Sequence, residues 1–180
     1  MDSYKKAMIE LDHEMNRQVD MILPAAAIAL RREWKWSSAK IKGILEETHK
    51  VWKECASSNQ ISMLEMLENE TGIEMRAPGV NKSWHDLPYL NAKLDSKLIT
   101  KEQWTYMRQQ QKKWMGCLVE ASVFLALHRK YGFGFERISR LRNQIEDIRF
   151  QYDLSPKKLL EACAKETKVR LVEGIAQEVA

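Results

Sequence analysis

Apolar residues recur along this chain at helical spacing, and the same spacing occurs twice. Ile138, Leu141, Ile145, Ile148 and Tyr152 step by 3, 4, 3 and 4, which lays one stripe along a helix. Ile41, Ile44, Thr48, Val51 and Cys55 repeat those steps 97 residues earlier. A longer stripe precedes each. Met8, Leu11, Met15, Val19, Ile22, Ala26 and Leu30 form one; Trp104, Met107, Gln111, Trp114, Leu118, Ala121 and Leu125 form the other. Thr100 with Gln103 is a capping-box pattern that starts the second long helix, whereas Pro24 is expected to kink or restart the first. Ser155-Pro156 supplies an N-cap and first turn for a short third helix, Lys157 to Thr167. Ser58 or Asn59 does the same before Ile61 to Glu70.

Internal duplication accounts for this doubling. At an offset of 97, AIALRREWKW from Ala27 aligns with FLALHRKYGF from Phe124, so that Leu30 meets Leu127 and Arg32 meets Arg129. At an offset of 96, Glu70-Thr71 meets Glu166-Thr167, and Ile73 and Met75 meet Val169 and Leu171. The expected fold is all-α, with two tandem three-helix repeats packed as a pseudo-two-fold dimer within one chain. The first repeat spans 1–75 and the second 100–180, with a docked strap at 76–99 broken by Pro78-Gly79 and Pro88. The tails Gly72 to Met75 and Lys168 to Leu171 alternate as short strands do, and could pair with each other or cap the bundle.

Composition narrows the classes of function. With 7 glycines and 4 prolines in 180 residues, a turn-rich β-fold is disfavoured. The longest uncharged apolar run, Met21 to Leu30, is too short to span a membrane, and no export leader is expected. Three scattered cysteines give no disulfide framework and fit a reducing, cytoplasmic setting. The net charge of +4 is mild, so any nucleic-acid role rests on where the charges lie. Between Arg108 and Arg142 eight basic residues face two acidic ones, whereas Gly43 to Met75 holds seven glutamates against two lysines.

Candidate chemistry is sparse. The four histidines are isolated, the cysteines lie on or near apolar stripes, and no catalytic, cofactor or metal site is expected. His128 is expected to be a hydrogen-bonded histidine near the core. Gly132 and Gly134 mark a corner between helices, anchored by Phe133 and Phe135; with no strand before it and only two glycines, a phosphate loop is disfavoured. The candidate binding residues are Arg129, Lys130, Arg137, Arg140 and Arg142 on a basic corner, and Trp84 and Tyr89 as exposed anchors on the strap. The competing reading of the basic corner is a solvated helical face.

The segment Ala126-Leu127-His128-Arg129-Lys130-Tyr131-Gly132-Phe133-Gly134, followed by Arg137-Ile138, resembles small helical proteins carried by phages and prophages of Firmicute bacteria. Their ending, E-x-T-G-I-x-L, has likenesses here in Glu70 to Met75 and in Glu166 to Leu171. The first copy departs at Lys35 and Ser37, and the second has Lys168 in place of glycine. Family members are mostly of unassigned function, so the resemblance implies a fold and a mobile-element context but no catalytic residue. The functional expectation is a non-enzymatic protein that binds and inhibits a host or defence component, an anti-CRISPR among the options. The alternative is a nucleic-acid-binding accessory or regulatory protein that uses the basic corner. A homo-oligomer is compatible with either.

Overall fold

A segment that is apolar on every side must be enclosed by other elements, and the ten residues Met21 to Leu30 are all buried. The computed structural model describes residues 2–56, 62–86 and 99–179. Its elements in chain order are α1 (Ser3–Trp34), α2 (Ser38–Ala56), α3 (Ser62–Thr71), a single 3-10 turn (Trp84–Asp86), α4 (Lys101–Tyr131), α5 (Phe135–Gln151), α6 (Pro156–Thr167), β1 (Val169–Val172) and β2 (Ile175–Glu178). The chain is mainly helical, in agreement with the hydrophobic pattern.

Two long helices form the spine. In α4 the seven residues Ala121 to Leu127 are buried without interruption, as Met21 to Leu30 are in α1. The two helices run parallel. Asp2 pairs with Lys101 near their beginnings, Glu10 with Lys112 at 3.4 Å farther along, and Trp34 lies against Phe133 at their ends, with ring centroids 5.4 Å apart. The outer helices are exchanged around this spine: α5 and α6 pack mainly on α1, and α2 and α3 on α4. Each long helix is therefore walled chiefly by short helices from the other half of the chain, and one continuous core results.

The helix ends match as well. Lys35 closes α1 in the left-handed region at φ 57°, and Gly132 closes α4 at φ 65°. Lys35 N donates to Arg31 O at 3.1 Å and Trp36 N to Leu30 O at 3.3 Å. Gly132 N donates to His128 O at 2.9 Å and Phe133 N to Leu127 O at 3.3 Å. The short helices end alike too. Thr71 Oγ1 donates to Leu67 O at 2.6 Å and accepts from Ile73 N at 3.3 Å. Thr167 Oγ1 donates to Cys163 O at 2.7 Å and accepts from Val169 N at 3.1 Å. The capping box of Thr100 and Gln103 and the Ser155 N-cap form as their spacing predicts.

Two expectations are corrected. Pro24 does not restart α1, which runs unbroken through it. The proline removes one backbone donor, and enclosure of that turn by neighbouring helices holds the helix together. Nor do the two tails pair with each other. β1 pairs antiparallel with β2, because Glu173 (φ 51°) and Gly174 (φ 77°) form a tight turn that gives it a local partner. The first tail buries Ile73 and Met75 without forming a strand, and then meets Pro78, which has no N–H to give. The N-cap expected at Ser58 or Asn59 lies outside the described residues.

The matched corners yield a stability prediction. A left-handed lysine costs about 1 kcal/mol relative to glycine, so Lys35→Gly should raise unfolding stability by about that much. Gly132→Ala should lower it by a similar amount, about 1 kcal/mol. Urea unfolding followed by circular dichroism measures both, and equal effects of the same sign would refute the assignment.

Candidate functional site

The corners that end α1 and α4 meet face to face. Trp36 lies 4.7 Å from Tyr131 and Trp34 5.4 Å from Phe133, centroid to centroid, with Trp36 and Phe133 edge-on between them at 5.9 Å. Lys40 Nζ sits 4.1 Å above the Trp36 ring and 4.7 Å above Tyr131. Around this aromatic junction run two bidentate ion pairs. Arg32 grips Glu166 at 2.7 and 2.9 Å, and Arg129 grips Glu70 at 2.8 and 3.3 Å. The Arg32 guanidinium holds the Glu166 carboxyl below the usual glutamate value, and Arg129 does the same for Glu70. Tyr152 Oη donates to Glu166 at 2.9 Å, and burial pushes its phenol up. His128 Nδ1 lies 2.8 Å from Phe133 O, which ties this half-buried histidine to the same corner.

These contacts consume most of the basic corner that the sequence singled out. Arg129 is held by Glu70 and lies 3.8 Å from Glu54. Arg140 pairs with Glu33 of α1 at 3.3 Å, and Arg142 with Glu120 of α4 at 3.8 Å. Among the described residues only Lys130 and Arg137 of the five lack a carboxylate partner; they lie near the Tyr131 and Phe133 rings, at 5.9 and 5.5 Å. Trp84 is corrected: it is 3% exposed and stacks on His85 at 3.8 Å, so it is a packed side chain rather than a displayed anchor. Its 3-10 turn tucks the ring into the core. Tyr89 lies outside the described residues.

A second feature lies on the flank of the spine. A groove of about 700 Å³ runs between α1, α4 and α5, with the segment at Arg76 and Pro78 at its edge. Glu120, only 12% exposed, forms part of its wall beside Arg142. Burial pushes the Glu120 carboxyl up, against the pull of Arg142 and Arg149. Arg149 and Gln18 belong to its wall, but their Nε and Oε1 atoms are closed off from the groove and have no hydrogen-bond partner among the described residues. Cys117 also lines it, with a thiol that burial pushes up to about 12, so it is no nucleophile near neutral pH. Among the described residues no group of three or more His, Cys, Asp or Glu side chains is placed to hold a metal ion, and no helix is long and apolar enough to cross a membrane. No family model, curated protein or solved structure matches the chain.

Of the residues singled out from sequence, only Arg142 reaches this groove; Glu120, Arg149 and Gln18 were missed. A signal existed. The residues 97 positions before Glu120, Arg142 and Arg149 are Leu23, Leu45 and Trp52, so on the expected duplication charge would stand where the other copy is apolar. Leu23 and Leu45 are 6% and 3% exposed and Trp52 is half-buried against the core.

The ion pairs predict a pH response. Glu70 and Glu166 are depressed in the folded chain, so each adds stability above the ordinary value of 4.5 and loses it as the pH falls through the lower folded value. Glu70→Gln and Glu166→Gln should be less stable than the parent at pH 7. The gap should narrow as the medium is acidified below the ordinary value, and a constant gap in denaturant midpoint would contradict it.

Proposed function

We propose that this chain is a non-enzymatic binding protein of a phage or mobile element, working in the bacterial cytoplasm by occupying a host or defence component. Its architecture on this reading is a duplicated three-helix unit folded back as a pseudo-two-fold dimer. Support for the duplication comes from contacts that occur in reciprocal pairs. Arg32 reaches Glu166 and Arg129 reaches Glu70; Trp34 meets Phe133 and Tyr131 meets Trp36. In each case the second contact is the first with the halves interchanged, at offsets of 97 and 96. The likeness of the His128 to Gly134 corner to Firmicute phage proteins supplies the mobile-element context.

The observation that carries the binding role is the outward half of α5 and the turn after it. Phe135, expected with Phe133 to anchor the corner, is instead 57% exposed, and Phe150 and Leu154 are 62% and 37% exposed, although the same helix buries Ile138, Leu141, Ile145 and Ile148. Leu154 and the preceding Asp153 both adopt left-handed backbone, at φ 54° and 57°. Holding two non-glycine residues there costs of order 1–3 kcal/mol each, and the turn they make leaves an apolar side chain exposed. Aromatic anchors beside arginine are the usual energetic centre of protein interfaces. The nucleic-acid alternative is left with Lys130 and Arg137, because the other three arginines already have carboxylate partners.

Two experiments test the two halves of this reading. Arg32→Met and Arg129→Met should each lower unfolding stability by about 1 kcal/mol, being half-exposed bidentate pairs; one silent variant would argue against reciprocal roles. Affinity capture from a bacterial host should recover a protein that Phe150→Glu loses and Ile175→Ser retains. Capture that ignores Phe150→Glu, or a steeply salt-dependent gel shift abolished by Arg137→Glu, would displace the proposal in favour of another surface or of nucleic acid.

A further inference from the structure

On the duplication reading, the ion pair between Arg140 of α5 and Glu33 of α1, at 3.3 Å, has a counterpart in the other half: Gly43 stands 97 positions before Arg140, and Lys130 stands 97 after Glu33. Those two positions also meet in space. A Cβ on Gly43 of α2 would stand 3.8 Å from Lys130 Nζ of α4. One contact is therefore closed by an arginine and a glutamate, whereas the other sets a lysine against a residue with no side chain. Lys130 is exposed and has no carboxylate partner among the described residues. Lys40, a second cation without such a partner, holds its Nζ 4.7 Å from the Tyr131 ring centroid, and Lys130 Nζ lies 5.9 Å from the same centroid. The carboxylates one turn along α2 are engaged on their own helix, Glu46 with Lys42 at 3.7 Å and Glu47 with Lys50 at 3.5 Å. Farther along, Glu54 and Glu70 both face Arg129.

We propose that this notch, formed by Lys130 and Lys40 beside Gly43, takes a carboxylate side chain from an acidic segment of the protein partner. The half of the contact that the chain does not supply is an acid, as Glu33 is for Arg140. An ammonium group is a compact point charge with three donors, so a carboxylate can meet it from several directions. Lys40, 4.1 Å above Trp36 and beside Tyr131, adds a second positive charge that the aromatic rings hold in place. The surroundings disfavour a nucleic acid. Gly43 to Met75 carries seven glutamates against two lysines, so a phosphate backbone laid across α2 and α3 would run into like charge. A single acidic side chain reaches Lys130 without that crossing. The inference rests on the proposed protein-binding role, for which it names the chemistry of a separate contact, and on the duplication for the comparison with Arg140 and Glu33.

The test titrates a capped octaglutamate, a capped octaglutamine and an eight-residue oligothymidylate separately into the ¹⁵N-labelled full-length chain at low ionic strength. Octaglutamate should give saturable shifts at the Gly43 and Lys130 amides, and octaglutamine none. Octaglutamate should also bind at least about tenfold tighter than the oligothymidylate. Gly43→Asp supplies a carboxylate from within the chain, so it should weaken octaglutamate binding about tenfold or more without lowering unfolding stability. Gly43→Ala adds a Cβ but no charge and should leave the binding within about twofold of the parent. Should Gly43→Asp fail to fold, the exposed Lys130→Gln is the second variant, expected to weaken binding while circular dichroism stays unchanged. No saturable shift with octaglutamate, equal losses in Gly43→Asp and Gly43→Ala, or an oligothymidylate that binds as tightly overturns the proposal. A host protein whose capture Phe150→Glu abolishes and Lys130→Gln leaves intact would keep the protein-binding role and remove the notch alone.

Discussion

Mutual burial of two parallel helices is the constraint from which the rest follows. Neither Met21 to Leu30 nor Ala121 to Leu127 offers a polar side, so each needs cover all round. The long helices cover one side of each other, and the four shorter helices supply the remainder. Both long helices must turn sharply at their ends, because the chain has to leave the spine and return along its outside. The left-handed residues Lys35 and Gly132 make those turns, and the aromatic junction fills the space between them.

Charge at the junction serves the same constraint. An arginine near the end of each long helix reaches a glutamate on a short helix of the opposite half, and each pair is bidentate. Such pairs contribute modestly at partly exposed positions, but their geometry fixes which short helix lies against which long one. Viewed along the sequence, the arginines from 129 to 142 resemble a basic patch. In space, Arg129, Arg140 and Arg142 each lie next to a carboxylate, and the field they present outward is correspondingly small.

Hydrophobic phase made the helices legible, since Ile41, Ile44, Thr48, Val51 and Cys55 are buried as their spacing requires. Capping chemistry made two starts legible, at Thr100 and Ser155. Phase does not reveal which element covers a stripe, and so the exchange of outer helices was out of reach of periodicity alone. Pro24 was expected to kink or restart α1, and no restart occurs because the buried turn is supported by its neighbours. Trp84 misled because a strap rich in turn residues was read as a display surface, whereas one 3-10 turn tucks the ring inward. At the candidate site only Arg142 was named beforehand. Glu120, Arg149 and Gln18 lie on three different helices, and nothing in their local sequence brings them together.

Exchange of the outer helices also bears on how the chain emerges during synthesis. When α1, α2 and α3 have left the ribosome, the elements that wall α1 have yet to be made. The apolar stretch from Met21 to Leu30 then waits through roughly a hundred further residues, several seconds or more at ribosomal speed. The first half then presents apolar surface that α5 and α6 cover only in the completed chain. Relative to an unswapped bundle, the interlocked design exchanges early, local closure for a long-range one.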